Sequence, residues 1–302
     1  MSNAMLLPRE VRHVKVPPIK CQGIKTKLVS FIFKNIVWNG LGRWVEPFLG
    51  SGVVLFNLAP KRALAADNNP HIISFYHAVQ KRSITALEVK SFLEKEGLLL
   101  QHRGQEYYYE VRDRFNSYHN PLDLLFLSRA CFNGVMRFNK SGEFNVPFNH
   151  KTNRFSKSYI TKIVNQVKWV SETISGKDWQ FICADWRDTF QACEEQDFAY
   201  LDPPYFGRHT DYVGCWSKQE MLKLVDAIKL LPCGYALSLW KKTAYRTNTL
   251  IDEYFSNHIV STFSHDYFVG PTTDLRHEIE EALIIKSGFA AVQPQTLDEV
   301  IL

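Results

Sequence analysis

Trp44-Val45-Glu46-Pro47-Phe48-Leu49-Gly50-Ser51-Gly52-Val53-Val54-Leu55-Phe56-Asn57-Leu58 is the stretch on which the fold turns. Trp44 to Phe48 reads as a short strand, Gly50-Ser51-Gly52 as a turn, and Val53 to Leu58 as the opening turns of a helix. Arg62 to Ala66 repeats the buried-strand signal and ends at Asp67. Glycines at a strand-to-helix turn let a ligand approach the backbone at the carboxyl edge of a parallel sheet. The third glycine of a dinucleotide fingerprint is missing, because Leu55 stands there, and no Gly-Lys-Ser/Thr follows. Both absences count against a pyrophosphate cradle. Asp67, 15 residues beyond Gly52, suits the two hydroxyls of a ribose and would also serve as a helix cap for Pro70 to Val79. The run favours an adenosine-containing ligand without a pyrophosphate.

Outward from this unit, Pro70 to Ala130 is helical, with apolar residues at three-to-four spacing. Arg137 to Pro147 reads as a hairpin turning at Lys140-Ser141-Gly142. Strands follow at Asp197 to Leu201, Tyr235 to Trp240 and Ala282 to Lys286, with a helix at Leu222 to Leu230. Alternation broken by a helical stretch implies an α/β sheet with an inserted subdomain. The 302 residues suffice for one large domain or two.

At 45% hydrophobic and 22% charged the chain is ordinary globular material, and no apolar run approaches a membrane span. Met1 to Ala4 reads as an expression scar ahead of Met5, and a cytoplasmic location is the default expectation. Six cysteines without Cys-x-x-Cys spacing, and histidines without His-Glu-x-x-His, argue against a disulfide framework or a zinc site. The net charge of +5 is matched by one window: between Arg137 and Lys162, six Lys/Arg face a single acid, Glu143. Phe138, Phe144, Phe148 and Phe155 interleave there, a pattern expected of a nucleic-acid surface.

Asp202-Pro203-Pro204-Tyr205, preceded by the apolar Phe198-Ala199-Tyr200-Leu201, is the sharpest motif. Two prolines fix the backbone and remove two N–H donors. The Asp202 carboxylate and the Pro203 carbonyl then make two acceptors, which suit an exocyclic amino group, and Tyr205 offers a face for a planar base.

With these motifs the chain resembles the Dam-type DNA adenine-N6 methyltransferases. Asp202-Pro203-Pro204-Tyr205 matches that family's catalytic tetrapeptide, and Pro47-Phe48-Leu49-Gly50-Ser51-Gly52 its cofactor loop. Lys20-Cys21-Gln22-Gly23-Ile24-Lys25 resembles its amino-terminal motif, and Ala184-Asp185-Trp186 the segment placed at the cofactor's adenine. The resemblance implies S-adenosylmethionine held by Cys21, Lys25, Phe48, Gly50, Ser51, Gly52, Asp67, Asp185 and Trp186, with no metal. Asn133 to Phe148 resembles a DNA-contacting hairpin, which implies DNA contacts from Asn133, Arg137, Asn139, Lys140 and Asn145. Asp274-Leu275-Arg276-His277-Glu278 to Leu283-Ile284-Ile285 resembles the carboxyl-terminal family motif.

The implied fold is α/β: a Rossmann-like S-adenosylmethionine methyltransferase sheet with an inserted, mostly helical target-recognition subdomain carrying a β-hairpin. The expected boundaries are 15–70 and 160–290 for the discontinuous catalytic domain and 71–159 for the recognition subdomain. The implied reaction is methylation of adenine N6 in double-stranded DNA after the base is flipped out. Implied partners are double-stranded DNA and a cognate restriction endonuclease acting separately, with the enzyme a monomer or weak dimer. Cytosine-N4 methylation is the alternative within the class, against which Asp202 argues, since serine is more usual there. A NAD-dependent oxidoreductase shares the sheet but wants the missing glycine.

Overall fold

In the computed structural model, which describes residues 6–205, 216–243, 245–267 and 277–291, the short strand β1 (Trp44–Glu46) forms the middle of a seven-stranded sheet. It pairs in parallel with β2 (Arg62–Asp67) on one side and β4 (Phe198–Leu201) on the other. Beyond β2 lies β3 (Asp178–Cys183), and beyond β4 lies β5 (Gly234–Thr243), both parallel. The antiparallel β7 (His277–Ile285) then joins β5 to the edge strand β6 (Ile259–Tyr267), giving the order β3-β2-β1-β4-β5-β7-β6.

Every residue of β1 and β4 is buried, as central parallel strands covered on both faces require. The two-residue period of a strand separates the side chains into two apolar layers. Trp44, Ala63, Ala65, Phe198, Tyr200 and Ala236 share one layer. Val45, Leu64, Ala199, Leu201, Tyr235 and Leu237 share the other. The second layer is covered by α7 (Trp186–Gln191), α8 (Lys218–Lys229) and α9 (Leu250–Phe255). The first is covered by α1 (Val29–Asn35), α2 (Val53–Leu58) and α3 (Pro70–Gln80). This is a Rossmann-like α/β sandwich.

The connection from β2 to β3 also carries α4 (Ala86–Tyr118), α5 (Pro121–Ala130) and α6 (Lys157–Ile174). A capping box opens α4: Glu88 N donates to Thr85 Oγ1, while Thr85 N donates back to the Glu88 carboxylate. The helix breaks its regular geometry at Gly104, with φ 60°, and ends at His119 in the left-handed region. Leu93, Tyr108, Phe115, Phe126, Ile163 and Val167 bury their side chains in the layer that also holds Trp44 and Phe198. The helical excursion therefore shares its core with the sheet. Among the described residues no helix is long and apolar enough to cross a membrane.

Candidate active site

The carboxyl ends of β1, β2, β3, β4 and β5 open onto one cleft of about 1450 Å³, lined by Glu46 to Ser51, Asp67, Asp185, Asp202 to Tyr205 and Arg246. That is where an open α/β sheet presents its ligand site. The turn after β1 is built for close approach. Gly50 has φ 49° and Gly52 has φ 69°, and a Cβ on Gly52 would lie 2.7 Å from the Phe56 ring. Gly50 N donates to Asp67 Oδ2 at 2.8 Å, and Asn69 N donates to Asp67 Oδ1 at 2.8 Å. Asp67 thus clamps the glycine turn to the end of β2 while its carboxylate lines the cleft. Burial pushes its pKa up, against the two backbone donors. It does not cap α3: Asn69 does, accepting from His71 N, because Pro70 already occupies the first turn.

Other expected cofactor residues surround this turn. Cys21, whose thiol burial pushes up, lies with its Cβ 3.9 Å from a Cβ built on Gly50. Phe48 meets Trp216 edge-on at 5.6 Å. Asp185 caps α7 through Arg187 N and pairs with the Arg187 guanidinium at 3.0 Å. Trp186 and Trp216 line the cleft, and their indole N–H groups are buried with no acceptor among the described residues. A carboxylate able to take hydroxyl donors beside an open glycine turn matches an adenosine in acceptor chemistry.

Around the tetrapeptide the side chains form a polar network. Lys25 is buried, with Nζ 3.1 Å from Asp202 Oδ1, 3.4 Å from Glu281 Oε2 and 2.8 Å from the Tyr205 hydroxyl to which it donates. Tyr205 donates in turn to Glu281 Oε2 at 2.7 Å, and His265 Nε2 meets Glu281 Oε1 at 3.2 Å. Burial alone would lower the Lys25 pKa, but Asp202 and Glu281 raise it, so it is a fixed cation. Burial raises Asp202 to about 6, resisted by Lys25 and aided by Glu281. Glu281, although buried, is drawn down to about 2 by Lys25 and its two hydrogen-bond donors. Asp202 Oδ2 and the Pro203 carbonyl take no hydrogen bond among the described residues. Glu46, at the end of β1, accepts from Trp44 Nε1 at 2.8 Å, and burial raises its pKa to about 8.

A family model described as D12 class N6 adenine-specific DNA methyltransferase matches residues 22–270. The chain belongs to that family. It is 32% identical over 207 residues to the Type II methyltransferase M.MjaIII of Methanocaldococcus jannaschii, covering 63% of this chain and 68% of the relative. It is 30% identical over 202 residues to the retron Ec67 DNA adenine methylase of Escherichia coli, covering 64% and 65%. The DNA adenine methylase of Vibrio cholerae is 32% identical over 167 residues, covering 53% and 55%. The chain thus aligns with between about half and two thirds of these relatives' length. Members of this family generally depend on S-adenosylmethionine, and their adenine specificity leaves the cytosine-N4 and oxidoreductase readings without support.

In this chain the hairpin is short. Phe138 bridges Phe144, Asn139 N donates to Glu143 O at 2.9 Å and Asn145 N to Arg137 O at 3.2 Å. Its polar residues serve its own construction. Asn139 Oδ1 accepts from Ser141 N and Glu143 N, its Nδ2 donates to Glu143, and Arg137 Nε donates to Asn145 Oδ1 at 3.0 Å. Lys140 is exposed at the turn, and Asn133, with φ 54°, lines the cleft. The interleaved aromatics are not a stacking surface: Phe138, Phe144 and Phe148 are buried, and Phe155 stacks on Phe126 at 4.8 Å. In a two-residue period the positions between the polar ones face inward. His71 at the start of α3 stacks on Phe138 at 5.1 Å and ties the hairpin to the sheet domain.

Glu281 and His265 are the site residues that sequence reading missed. The available signal was the pair Glu280-Glu281 at the head of the apolar run Ala282 to Ile285, since two adjacent strand residues face opposite ways and one of them must point inward. Asp274, Leu275 and Arg276 of the carboxyl-terminal motif lie outside the described residues.

Proposed function

We propose that this chain moves a methyl group from S-adenosylmethionine to the N6 amino group of an adenine flipped out of double-stranded DNA. The cofactor, when bound, supplies a methyl group made electrophilic by the sulfonium to which it is attached. The glycine turn, Phe48, Cys21, Lys25, Asp67, Asp185 and Trp186 hold it at the strand ends. The adenine amino nitrogen is a poor nucleophile, because its lone pair is delocalised into the ring. Asp202 Oδ2 and the Pro203 carbonyl accept its two hydrogens, which draws the nitrogen towards tetrahedral geometry and aims the lone pair at the methyl group. As the N–C bond forms, the C–S bond would break, the thioether product would leave, and the surplus N6 proton would pass to water. Tyr205 stacks on the base. Lys25 opposes the effect of burial on Asp202 and favours the ionised acceptor. Catalysis on this reading is positioning and electrostatics.

Residues 71–159 are the target-recognition subdomain in this proposal, and their hairpin meets the DNA backbone through Arg137 and Lys140. Asn133, Asn139 and Asn145 complete that surface, the last two by shaping it. An endonuclease reading the same sequence would be a separate protein, as the Type II name of the Methanocaldococcus relative suggests.

The observation that carries the reading is a pair of acceptors, Asp202 Oδ2 and Pro203 O, that take no donor among the described residues and lie beside the cleft that the glycine turn and Asp67 also line. Transfer of tritiated methyl from S-adenosylmethionine to genomic DNA lacking adenine methylation tests it. Asp202→Ala should lower turnover at least about 100-fold, the scale for losing a preorganised electrostatic partner. DNA retention on filters should stay near wild type, because phosphate contacts dominate affinity. Near-normal turnover in that variant would leave the tetrapeptide as a turn and nothing more.

A further inference from the structure

Asp202 and Tyr205 belong to the tetrapeptide, but the groups that hold them come from the far side of the sheet. Glu281 on β7 and His265 on β6 meet the amino-terminal Lys25 under the catalytic turn. Glu281 Oε2 takes the Tyr205 hydroxyl at 2.7 Å and the Lys25 ammonium at 3.4 Å, while Oε1 takes His265 at 3.2 Å. Its side chain is 5% accessible, against 22% for Asp202. A carboxylate so enclosed is costly unless its partners satisfy both oxygens, and here they do.

We propose that Glu281 is a positioning residue for the methyl-transfer site, resting on the reading above: it fixes the Tyr205 hydroxyl and shares the Lys25 ammonium with Asp202, while His265 orients Glu281. Two consequences follow from the geometry. The Tyr205 hydroxyl is pinned between an ammonium donor and a carboxylate acceptor, so its ring cannot swing, and one ring face is set against Lys25 at 4.5 Å. The single cation also lies between two carboxylates, so Glu281 controls how much of its field reaches Asp202. Among the described residues, the other titratable groups acting on Asp202 and Lys25 are Glu46 on β1, Tyr200 on β4 and Tyr205 itself.

Glu281→Gln and Glu281→Ala separate these roles. Glutamine keeps an acceptor for the Tyr205 hydroxyl but removes a negative charge from beside Asp202. The acid limb of methyl transfer, measured from pH 5 to 9, should move to lower pH by roughly 0.5–1 unit. Turnover at pH 7.5 should fall only a few-fold. Alanine also frees the tyrosine, and turnover should fall roughly 10- to 100-fold with the KM for DNA within about twofold of wild type. Melting temperature against pH reads the same coupling without turnover. A carboxylate whose folded pKa is raised loses stability as pH climbs from its unfolded value to its folded one. For Asp202 that window closes near pH 6 in the wild type, and it should close earlier in Glu281→Gln. An unshifted acid limb together with an unshifted melting profile in Glu281→Gln would overturn the proposal, whatever happens to turnover. Should Asp202→Ala transfer methyl normally, the reading of the tetrapeptide fails instead, and the melting profile still decides the coupling.

Discussion

The sheet edge and the hairpin both carry charge into the cleft region, but they treat it differently. At the sheet edge Lys25, Asp202, Tyr205, Glu281 and His265 are at least partly buried, and each is bound to another of the group. On the hairpin, Arg137 leans on Asn145 and Asn139 holds the turn, while Lys140 stands in solvent. In a low dielectric each charge strongly shifts its neighbours, whereas in water the same charge is screened within about 10 Å at 0.1 M salt. Substitutions in the first region should therefore move turnover, pH dependence and stability together. Removal of the exposed Lys140 charge in the second should move DNA affinity alone.

The sharpest way to break this contrast is Lys25→Met. Its removal leaves Asp202 and Glu281 buried without their shared cation, a loss that costs about 3–5 kcal/mol when nothing compensates. The Asp202 pKa, already about 6 with Lys25 in place, should climb further. The acid limb of methyl transfer then moves to higher pH, opposite in sign to Glu281→Gln. Stability should fall as pH rises through that higher value, because the folded state now favours the protonated acid. A pH–rate profile and melting curves at several pH values check both. A variant with the wild-type limb would mean that Lys25 does not act on Asp202.

A smaller effect is expected at the other end of the sheet edge. Asp67→Ala leaves Gly50 N and Asn69 N without their acceptor and removes the proposed ribose partner. S-adenosylmethionine affinity, measured by calorimetry, should weaken by about 1–3 kcal/mol. Asp67→Asn, which keeps one acceptor for Gly50 N, should lose less. Unchanged affinity in both would move the ribose elsewhere in the cleft.

Most of this arrangement was legible in the sequence. The start of the helix at Val53 and the strand from Arg62 are legible, because both segments are apolar and bounded by glycine, proline or charge, although the helix stops at Leu58 where its opening turns alone were expected to lie. The hairpin was visible through its turn, yet the role of its phenylalanines was not. A period of two shows which residues share a face, not which face is wet. The edge strand β6 was hidden, since Ser261, Thr262, Ser264 and His265 give it no apolar run. Glu281 escaped for a related reason: its partners Lys25 and Tyr205 lie 256 and 76 residues away in sequence, and only the antiparallel seating of β7 beside β5 brings them together.

The least disruptive change tests the hairpin side. Lys140 is exposed at the tip of the turn and makes no ion pair among the described residues, so Lys140→Ala should leave melting temperature and the acid limb where they are. If it neutralises one phosphate, the slope of log affinity against log salt should flatten by about 0.9. The loss should be the same for every DNA sequence, since a phosphate carries no sequence information. Competition binding at two or more salt concentrations, with target and unrelated duplexes, gives slope and preference together. A loss confined to one sequence, with the slope unchanged, would place Lys140 on a base edge. A change in the acid limb would be more damaging, because it would mean that charge on the hairpin reaches Asp202 and that the two walls are not electrostatically separate.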